Sequence, residues 1–258
     1  MADSYTLSLA AMDVLAQTFD VNPRRFPFEI PSFGQTQADR TRIAKAVFAD
    51  LAKRGLIQRG DLEPELVTAL RTLSDYTIAV AAMGTLEAGK QLFARASATA
   101  ESGVLAVQED QHVRLEPIRP TALAVSMVGL LPKLNAGPGQ SITLTKPAPV
   151  GARRGEESDY FANVHRPADP ALRIVESYLT RPRTGAGFFS VTGKDRNGKE
   201  ISAGELGWID TDAGRYLNLS RPPGEDGQLH GTFSPADPAR LTQQLGQLIQ
   251  SVAPRPVG

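Results

Sequence analysis

The sequence predicts an α+β protein built from two quasi-symmetric units, each an antiparallel β-meander with accompanying helices. Three observations predict this fold class. The spacing of apolar residues changes from helical to alternating once in each half of the chain. Turn residues separate the short apolar runs in both β-rich stretches. The order of helix, four-stranded meander and helix therefore occurs twice, which indicates a duplicated structure.

The first elements are predicted from residues 7–15, whose apolar side chains fit a strand that runs into a short helix. Prolines and a glycine make residues 27–34 irregular. Residues 43–51 carry apolar side chains at helical spacing, and Gly55 ends that helix. Another helix begins near Pro64.

A first meander follows these helices. In its last strand Val113 and Leu115 alternate with polar residues, which places His112 on the polar side. Pro117 ends the meander, and Pro120 opens a helix. The predicted strands cover residues 76–83, 90–98, 103–108 and 111–116.

The second unit begins with residues 132–168, a connection rich in proline, glycine and charge in which Ser141–Thr145 fits a short strand. Asp169 and Asp237 are each followed by proline, which is typical of a helix that starts with an Asp cap and a proline in its first turn. A second meander lies between these two helices. Its predicted strands cover residues 187–193, 201–209, 215–219 and 228–233.

We expect residues 1–258 to form one domain with an N-terminal half (1–134) and a C-terminal half (135–258). A lone meander has one apolar face and unpaired edges. Two copies cover more of both if they join into one sheet or pack face to face, and the sequence allows either arrangement.

Composition excludes several classes of function. Lys and Arg together number 28, as do Asp and Glu, and neither half is basic enough to predict nucleic-acid binding. The chain has no cysteine, so disulfides, thiolate chemistry and cysteine-based zinc sites are excluded. The N-terminus does not read as a signal peptide, and the apolar run at residues 122–131 is shorter than the roughly 20 residues of a membrane span. We expect a cytoplasmic protein without membrane insertion.

The histidines indicate no catalytic or metal site. His112, His165 and His230 do not show the spacing of a helical metal pair, and none lies beside a plausible nucleophile. The acidic group at residues 156–159 fits a solvated loop beside two arginines. We therefore expect no catalytic residue, no metal and no cofactor.

Two glycine-containing segments lack the context of a phosphate or dinucleotide site. GPGQS at 137–141 does not end in Gly-Lys-Ser/Thr, and no helix follows GAGFFS at 185–190, which is interpreted as flexibility entering a strand. Trp208 and Tyr216 are interpreted as core or sheet-face residues, with an interface role as the alternative. Gly214 fits a turn.

Three segments resemble the EspG family of actinobacterial type VII (ESX) secretion systems. They are PFEIPSFGQTQADR (27–40), LAKRGLIQRGDLEPELVTALRTL (51–73) and WIDTDAGRYL (208–217). The last resembles the family's Asp-x-x-x-Gly-Arg-Tyr-Leu segment, here at Asp210, Gly214, Arg215, Tyr216 and Leu217.

The resemblance implies a cytosolic chaperone that binds the helical tip of the PPE subunit of PE–PPE heterodimers, without a cofactor or chemistry. It implies a quasi-two-fold mixed fold and a partner-binding loop between the first two meander strands. That loop carries Thr85, Leu86, Glu87 and Ala88, and the exposed edge of the last helix joins it. The family includes monomers and dimers, so a homodimer stays open. GRYL is interpreted as structural.

Two alternatives remain open from the residues alone. One is a non-secretory interaction module built on the same duplicated sheet. The other is a small hydrolase that uses His165 or His230 with nearby acidic residues.

Overall fold

In a computed structural model, ten strands form one antiparallel sheet, and the described residues are 4–147, 178, 180–221 and 228–253. The strands of this sheet are β1 (Tyr5–Ser8), β4 (Ile78–Thr85), β5 (Gln91–Ala98), β6 (Gly103–Glu109), β7 (His112–Ile118), β8 (Ile142–Pro147), β9 (Arg183–Lys194), β10 (Glu200–Thr211), β11 (Gly214–Arg221) and β12 (Gln228–Pro235). A separate hairpin joins β2 (Ile57–Gln58) to β3 (Asp61–Leu62). The helices are α1 (Leu9–Phe19), α2 (Gln37–Lys53), α3 (Pro64–Ser74), α4 (Leu123–Val128) and α5 (Pro238–Val252).

The strand order reads the same from both ends of the sheet. It runs β1-β7-β6-β5-β4-β9-β10-β11-β12-β8, so each half contributes a four-stranded meander whose last strand pairs with the half's own first strand. The halves meet where β4 pairs with β9, from Ile78↔Gly193 to Thr85↔Ala186. The predicted α+β fold with two quasi-symmetric units is confirmed, and the two meanders share one sheet.

The N-terminal helices form where the sequence predicts them, although α2 begins at Gln37, before the apolar spacing of residues 43–51. Ser8 caps α1 by accepting a hydrogen bond from the amide of Ala11, and Thr36 caps α2 through the amide of Asp39. Gly55 follows α2 with a positive φ of 76°, a conformation that glycine adopts without strain.

The first meander departs from the prediction at its end. Strand β7 continues through Pro117 to Ile118 instead of stopping at the proline. Pro117 pairs with Val104 of β6 but lies beyond the register of β1, which ends at Leu115. Beyond the end of β1, the outer side of β7 has no paired strand among the described residues, so the amide that proline lacks is not needed for a hydrogen bond there.

Two clusters of buried residues cover opposite faces of the sheet. On one face α4 and α5 pack across both halves, where Val80, Leu105, Phe189 and Leu241 join one core. On the other face α1 and α3 pack against β1, β5, β6 and β7, and α2 packs on α1. The N-terminal half is therefore covered on both sides.

In the C-terminal half, Asp237 caps α5 as predicted, and Asn197-Gly198 forms the tight turn between β9 and β10. The short strand predicted at Ser141–Thr145 is β8, which forms one edge of the sheet. The helix predicted from Asp169 lies outside the described residues, apart from Tyr178.

Candidate functional site

On the sheet's second face, none of the helices α1 to α5 covers a strip between the two halves, as far as the described residues go. Helices α1 to α3 lie at one end of this strip, and at the other end Tyr178 stacks on Tyr216 and Phe233, with ring centroids 5.2 and 6.1 Å apart. Between them run β4, β9 and β10 with the adjoining part of β5. We call this strip the central face; its residues are Met83, Phe93, Ala186, Phe188, Gly207 and Ile209.

A row of apolar side chains crosses the central face. The register of the strands places Phe93 opposite Met83 and Met83 opposite Phe188, and all three are half-buried. Phe26, from the irregular segment before α2, stacks on Phe188 with its ring centroid 6.3 Å away. Its side chain is 51% exposed, which makes it one of two large apolar residues that stand out from the described surface.

The row ends in a small concavity of about 200 Å³. Gly207 lines this concavity and, having no side chain, leaves its space free. A Cβ on Gly207 would lie 1.7 Å from the side-chain oxygen of Asn218, so only glycine lets Asn218 fold across this position. Ile209 and Phe188 line the same concavity. An apolar group protruding from a partner fits such a recess, because it would contact side chains on several sides.

A buried arginine holds Phe26 against the central face. The Nη1 group of Arg95 donates to the backbone carbonyl of Phe26 at 2.9 Å, and its guanidinium lies 4.5 Å from the ring centre of Tyr76. Burial lowers the pKa of Arg95, while the nearby Tyr76 opposes that effect. Arg95 therefore fixes the backbone that presents the exposed ring.

A second buried charge organises the rest of this segment. The carboxylate of Asp13 in α1 accepts hydrogen bonds from Arg24, from Arg40 at 2.9 Å and from the amide of Phe33 at 3.0 Å. Burial alone would raise the pKa of Asp13, but these hydrogen bonds outweigh it and hold the pKa below its ordinary value.

The four residues predicted to bind a partner lie at the β4–β5 hairpin, but they do not share one environment. Thr85 ends β4 in register with Ala186, beside the central face. Leu86 is half-buried and packs against the core beneath α4 and α5. Glu87 and Ala88 are exposed, and Ala88 has a positive φ of 60°. The hairpin thus exposes Glu87 and Ala88 to solvent and keeps Leu86 mostly inside.

Within the WIDTDAGRYL segment, the GRYL residues 214–217 are all buried, which fits the structural role predicted for them. Arg215 donates to both oxygens of Asp210, at 2.5 and 2.8 Å, and to the carbonyl of Pro132 at 2.9 Å. Trp208 and Tyr216 are fully buried, which confirms the core interpretation of both.

Gly214 has a larger role than the turn that the sequence predicts. Its φ is 127°, and a Cβ there would lie 2.8 Å from the carbonyl oxygen of Asn135 and from the amide of Gly137. The glycine therefore lets the chain that joins the two halves pass close to β11.

The interpretation of GAGFFS as a flexible entry to a strand is wrong. Gly185 and Gly187 lie inside β9, where both pair with β10 and Gly187 also pairs with β4. A Cβ on Gly187 would lie 2.4 Å from the ring of Trp208 and 2.5 Å from the carbonyl oxygen of Met83. Gly187 is therefore required because the Trp208 side chain and the backbone of β4 occupy the space that a Cβ would need.

The described histidines lie on separate strands. His112 is exposed on β7, while His230 belongs to β12; His165 and the acidic group at 156–159 lie outside the described residues. No group of three His, Asp or Glu side chains with the geometry of a metal site occurs in the part of the chain that is described. Within the same residues, no helix is long and apolar enough to cross a membrane.

Sequence reasoning missed the central face. Phe188 and Phe189 are neighbours on β9 and point to opposite faces, which was a signal that both faces of this strand meet apolar surroundings. Phe26 gave no signal of its own, because it lies in an irregular segment whose place on the sheet depends on Arg95.

Comparison with known proteins agrees with the fold. A model of the EspG family matches residues 8–247 of the chain. The structure is similar to that of the Mycobacterium tuberculosis type VII secretion system chaperone EspG5 in complex with a PE25–PPE41 dimer. The TM-score is 0.66 at 13% sequence identity, and the match covers 98% of this chain and 97% of that chain. No curated protein sequence matches the chain.

Proposed function

This chain belongs to the EspG family, and we propose that it is a type VII secretion chaperone that binds the PPE subunit of a PE–PPE heterodimer. The observation that carries this proposal is the central face. Phe26, Met83, Phe93 and Phe188 present a continuous apolar row there, in a recess between the two halves. Apolar surface left open beside a recess is characteristic of a protein-binding site.

The chemistry of the central face suits the apolar helical tip of a PPE subunit. Aromatic side chains and Met are enriched at the centres of protein interfaces, where they bury much apolar area. A stable contact buries about 1,200–2,000 Å² in total, counting both partners. The central face supplies the apolar centre of such a contact.

We propose that the β4–β5 hairpin adds to this contact at one end of the central face. Thr85 borders the central face, and Glu87 and Ala88 extend beyond it into solvent. Leu86 would contribute by holding the hairpin in place through its packing on the core. These four residues form the predicted partner-binding loop.

The proposed role requires no catalysis and is carried out in the cytoplasm, where the client is held before export. The three histidines, balanced charge and absence of cysteine are compatible with a protein that binds and does not react. The contacts of Asp210 and Arg215 support the same view, since their buried polar groups hold the chain together and line no open recess.

The test is co-expression with PE–PPE pairs of the source genome, followed by size-exclusion chromatography and a binding titration. We expect one stoichiometric complex with a cognate pair. Phe26→Glu should weaken it by about 10–100-fold, since a carboxylate would then face the apolar client.

Val125→Glu is the matched control. Val125 is 59% exposed on α4, on the other side of the sheet, so the same carboxylate there should leave the dissociation constant unchanged. Equal loss of binding in both variants would contradict the assignment of the central face. Separation from every PE–PPE pair would contradict the proposed function itself.

A further inference from the structure

A second recess adjoins the central face. It is an open cleft of about 950 Å³ between residues 29–31 and the tips of the β4–β5 and β6–β7 hairpins. Phe93 lines this cleft and also belongs to the central face, so the two surfaces are continuous. Leu9 and Ile30, both buried, supply the apolar floor.

The rim of the cleft carries an excess of negative charge. Glu29, Glu109 and Asp110 are exposed there, against one cation, Lys90, which leaves a net charge of −2 among the charged lining residues (three acidic, one basic). None of these three carboxylates has an ion pair or a side-chain hydrogen bond within the described residues. In a chain with equal numbers of acidic and basic residues, this local excess is a property of the cleft.

Hydrogen bonds to the rest of the fold hold the backbone that carries the rim carboxylates. The amide of Glu29 donates to the side chain of Gln108 at 3.0 Å, which ties the irregular segment to β6. Asp110 has a φ of 50° at the tip of the β6–β7 hairpin, and the carbonyl of Gln111 accepts from the amide of Leu9 at 2.9 Å. The backbone is held from both sides, so the carboxylates project from a defined rim.

We propose that this cleft selects among clients by charge, by receiving a segment of the client in which a lysine or arginine stands beside apolar side chains. The inference rests on the proposed function and names the chemistry that a client needs in addition to an apolar tip. Apolar side chains of the segment contact Leu9, Ile30 and Phe93, and the cation lies among the rim carboxylates. Charges at an interface rim act chiefly on partner choice and association rate, and salt screens them.

The test compares two triple variants that change net charge equally. Glu29→Gln with Glu109→Gln and Asp110→Asn removes the three negative charges of the rim and leaves Lys90 in place. The control is Glu101→Gln with Asp20→Asn and Asp61→Asn, three exposed carboxylates away from the cleft. Asp20 matches Asp110 in backbone conformation, with φ values of 51° and 50°. The Asp→Asn change is therefore made in the same left-handed conformation at both positions.

The readout is the dissociation constant for the cognate PE–PPE pair at about 0.05 and about 0.5 M NaCl. We expect the rim variant to bind about tenfold more weakly at low salt and to lose most of its salt dependence. The control triple variant should bind as the natural chain does. Lys90→Gln should strengthen binding, which is opposite to the effect of the rim variant. A general loss of structure would weaken binding and could not produce this result.

A client-independent probe separates the two proposals. It is a fluorescein-labelled peptide of alternating leucine and lysine, compared with its leucine–glutamate counterpart by fluorescence anisotropy. Normal client binding by the rim variant, with the natural salt dependence, would overturn the role of the cleft and leave the proposed function intact.

If the natural chain binds no PE–PPE pair, the proposed function is contradicted. Binding of the peptide then tests the role of the cleft by itself. Binding of the lysine peptide that the rim variant loses would still support a cleft for basic apolar segments. No binding of that peptide would overturn the cleft as well.

Discussion

At the scale of single residues, the buried carboxylate of Asp13 shows how an irregular segment is held in one place. Much of the chain before α2 lies outside helices and strands, so side chains must supply its contacts. Asp13 joins Arg24 and Arg40 to the amide of Phe33. The segment fixed in this way carries Phe26 and also Ile30, one of the two floor residues of the cleft.

Replacement of this carboxylate should destabilise the protein in a pH-dependent way. Folding lowers the pKa of Asp13 below its ordinary 3.8, so its contribution is complete above that pH and is lost as the pH falls through the folded-state value. We expect Asp13→Asn to lower the free energy of unfolding by about 2–4 kcal/mol at neutral pH, since two arginines lose their anion. Urea denaturation at pH 7 and below pH 3.8 measures the difference, which should shrink at the lower pH.

Asp20→Asn is the control for this change. Asp20 is exposed at the end of α1 in a left-handed conformation that Asn also adopts readily. Its effect should stay within about 0.5 kcal/mol at both pH values. A loss of the same size as that of Asp13→Asn would show that the buried ion pairs are not the cause.

At the scale of elements, strand β9 explains why the middle of the sheet contains so much glycine. It lies between β4 and β10, and the ring of Trp208 from β10 extends over its Gly187. Phe189 follows two residues later and packs beside the same ring, with centroids 4.8 Å apart. Small residues on one strand thus make room for the largest residue of the next.

Two glycine replacements should therefore change stability in opposite directions. Gly187→Ala puts a methyl group within 2.4 Å of Trp208 and should cost about 1–3 kcal/mol. Gly246→Ala, on α5, points into open space and should stabilise the protein by up to about 1 kcal/mol through its helix propensity. Thermal unfolding of both variants measures the signs, and equal signs would contradict this account of β9.

At the scale of the whole molecule, the two halves depend on each other. They share the β4–β9 pairing, and one core beneath α4 and α5 contains Val80 from the first half and Phe189 from the second. Arg215 also binds the carbonyl of Pro132 across the proposed boundary. The division into residues 1–134 and 135–258 stays a prediction about ancestry, and we do not expect it to mark two independently folding units.

Unfolding should therefore be a single transition. The chain has one tryptophan, Trp208, buried near the junction of the halves, and four of the five described helices lie in the first half. Trp208 fluorescence and far-ultraviolet circular dichroism should give the same urea midpoint. Two separated midpoints would mean that the halves unfold as separate domains.

The sequence alone determined the local elements and the family. Apolar spacing placed α2, α3, α5 and the strands, Asp237 and Gly55 marked helix ends, and WIDTDAGRYL identified the resemblance. Hydrophobic period, caps and turns act between residues a few positions apart, so their signals are present in a short stretch of sequence.

Only the tertiary structure decided that the meanders share a sheet and that an apolar strip remains open between them. Met83, Phe93 and Phe188 become neighbours through the register of β4 with β5 and β9, and Phe26 joins them through a bond from Arg95. The β4–β9 pairing and the bond from Arg95 join residues distant in the chain, and their free energy depends on packing that no single segment contains. The candidate site consists of these long-range contacts. The sequence therefore predicted the individual elements but not the surface that they form together.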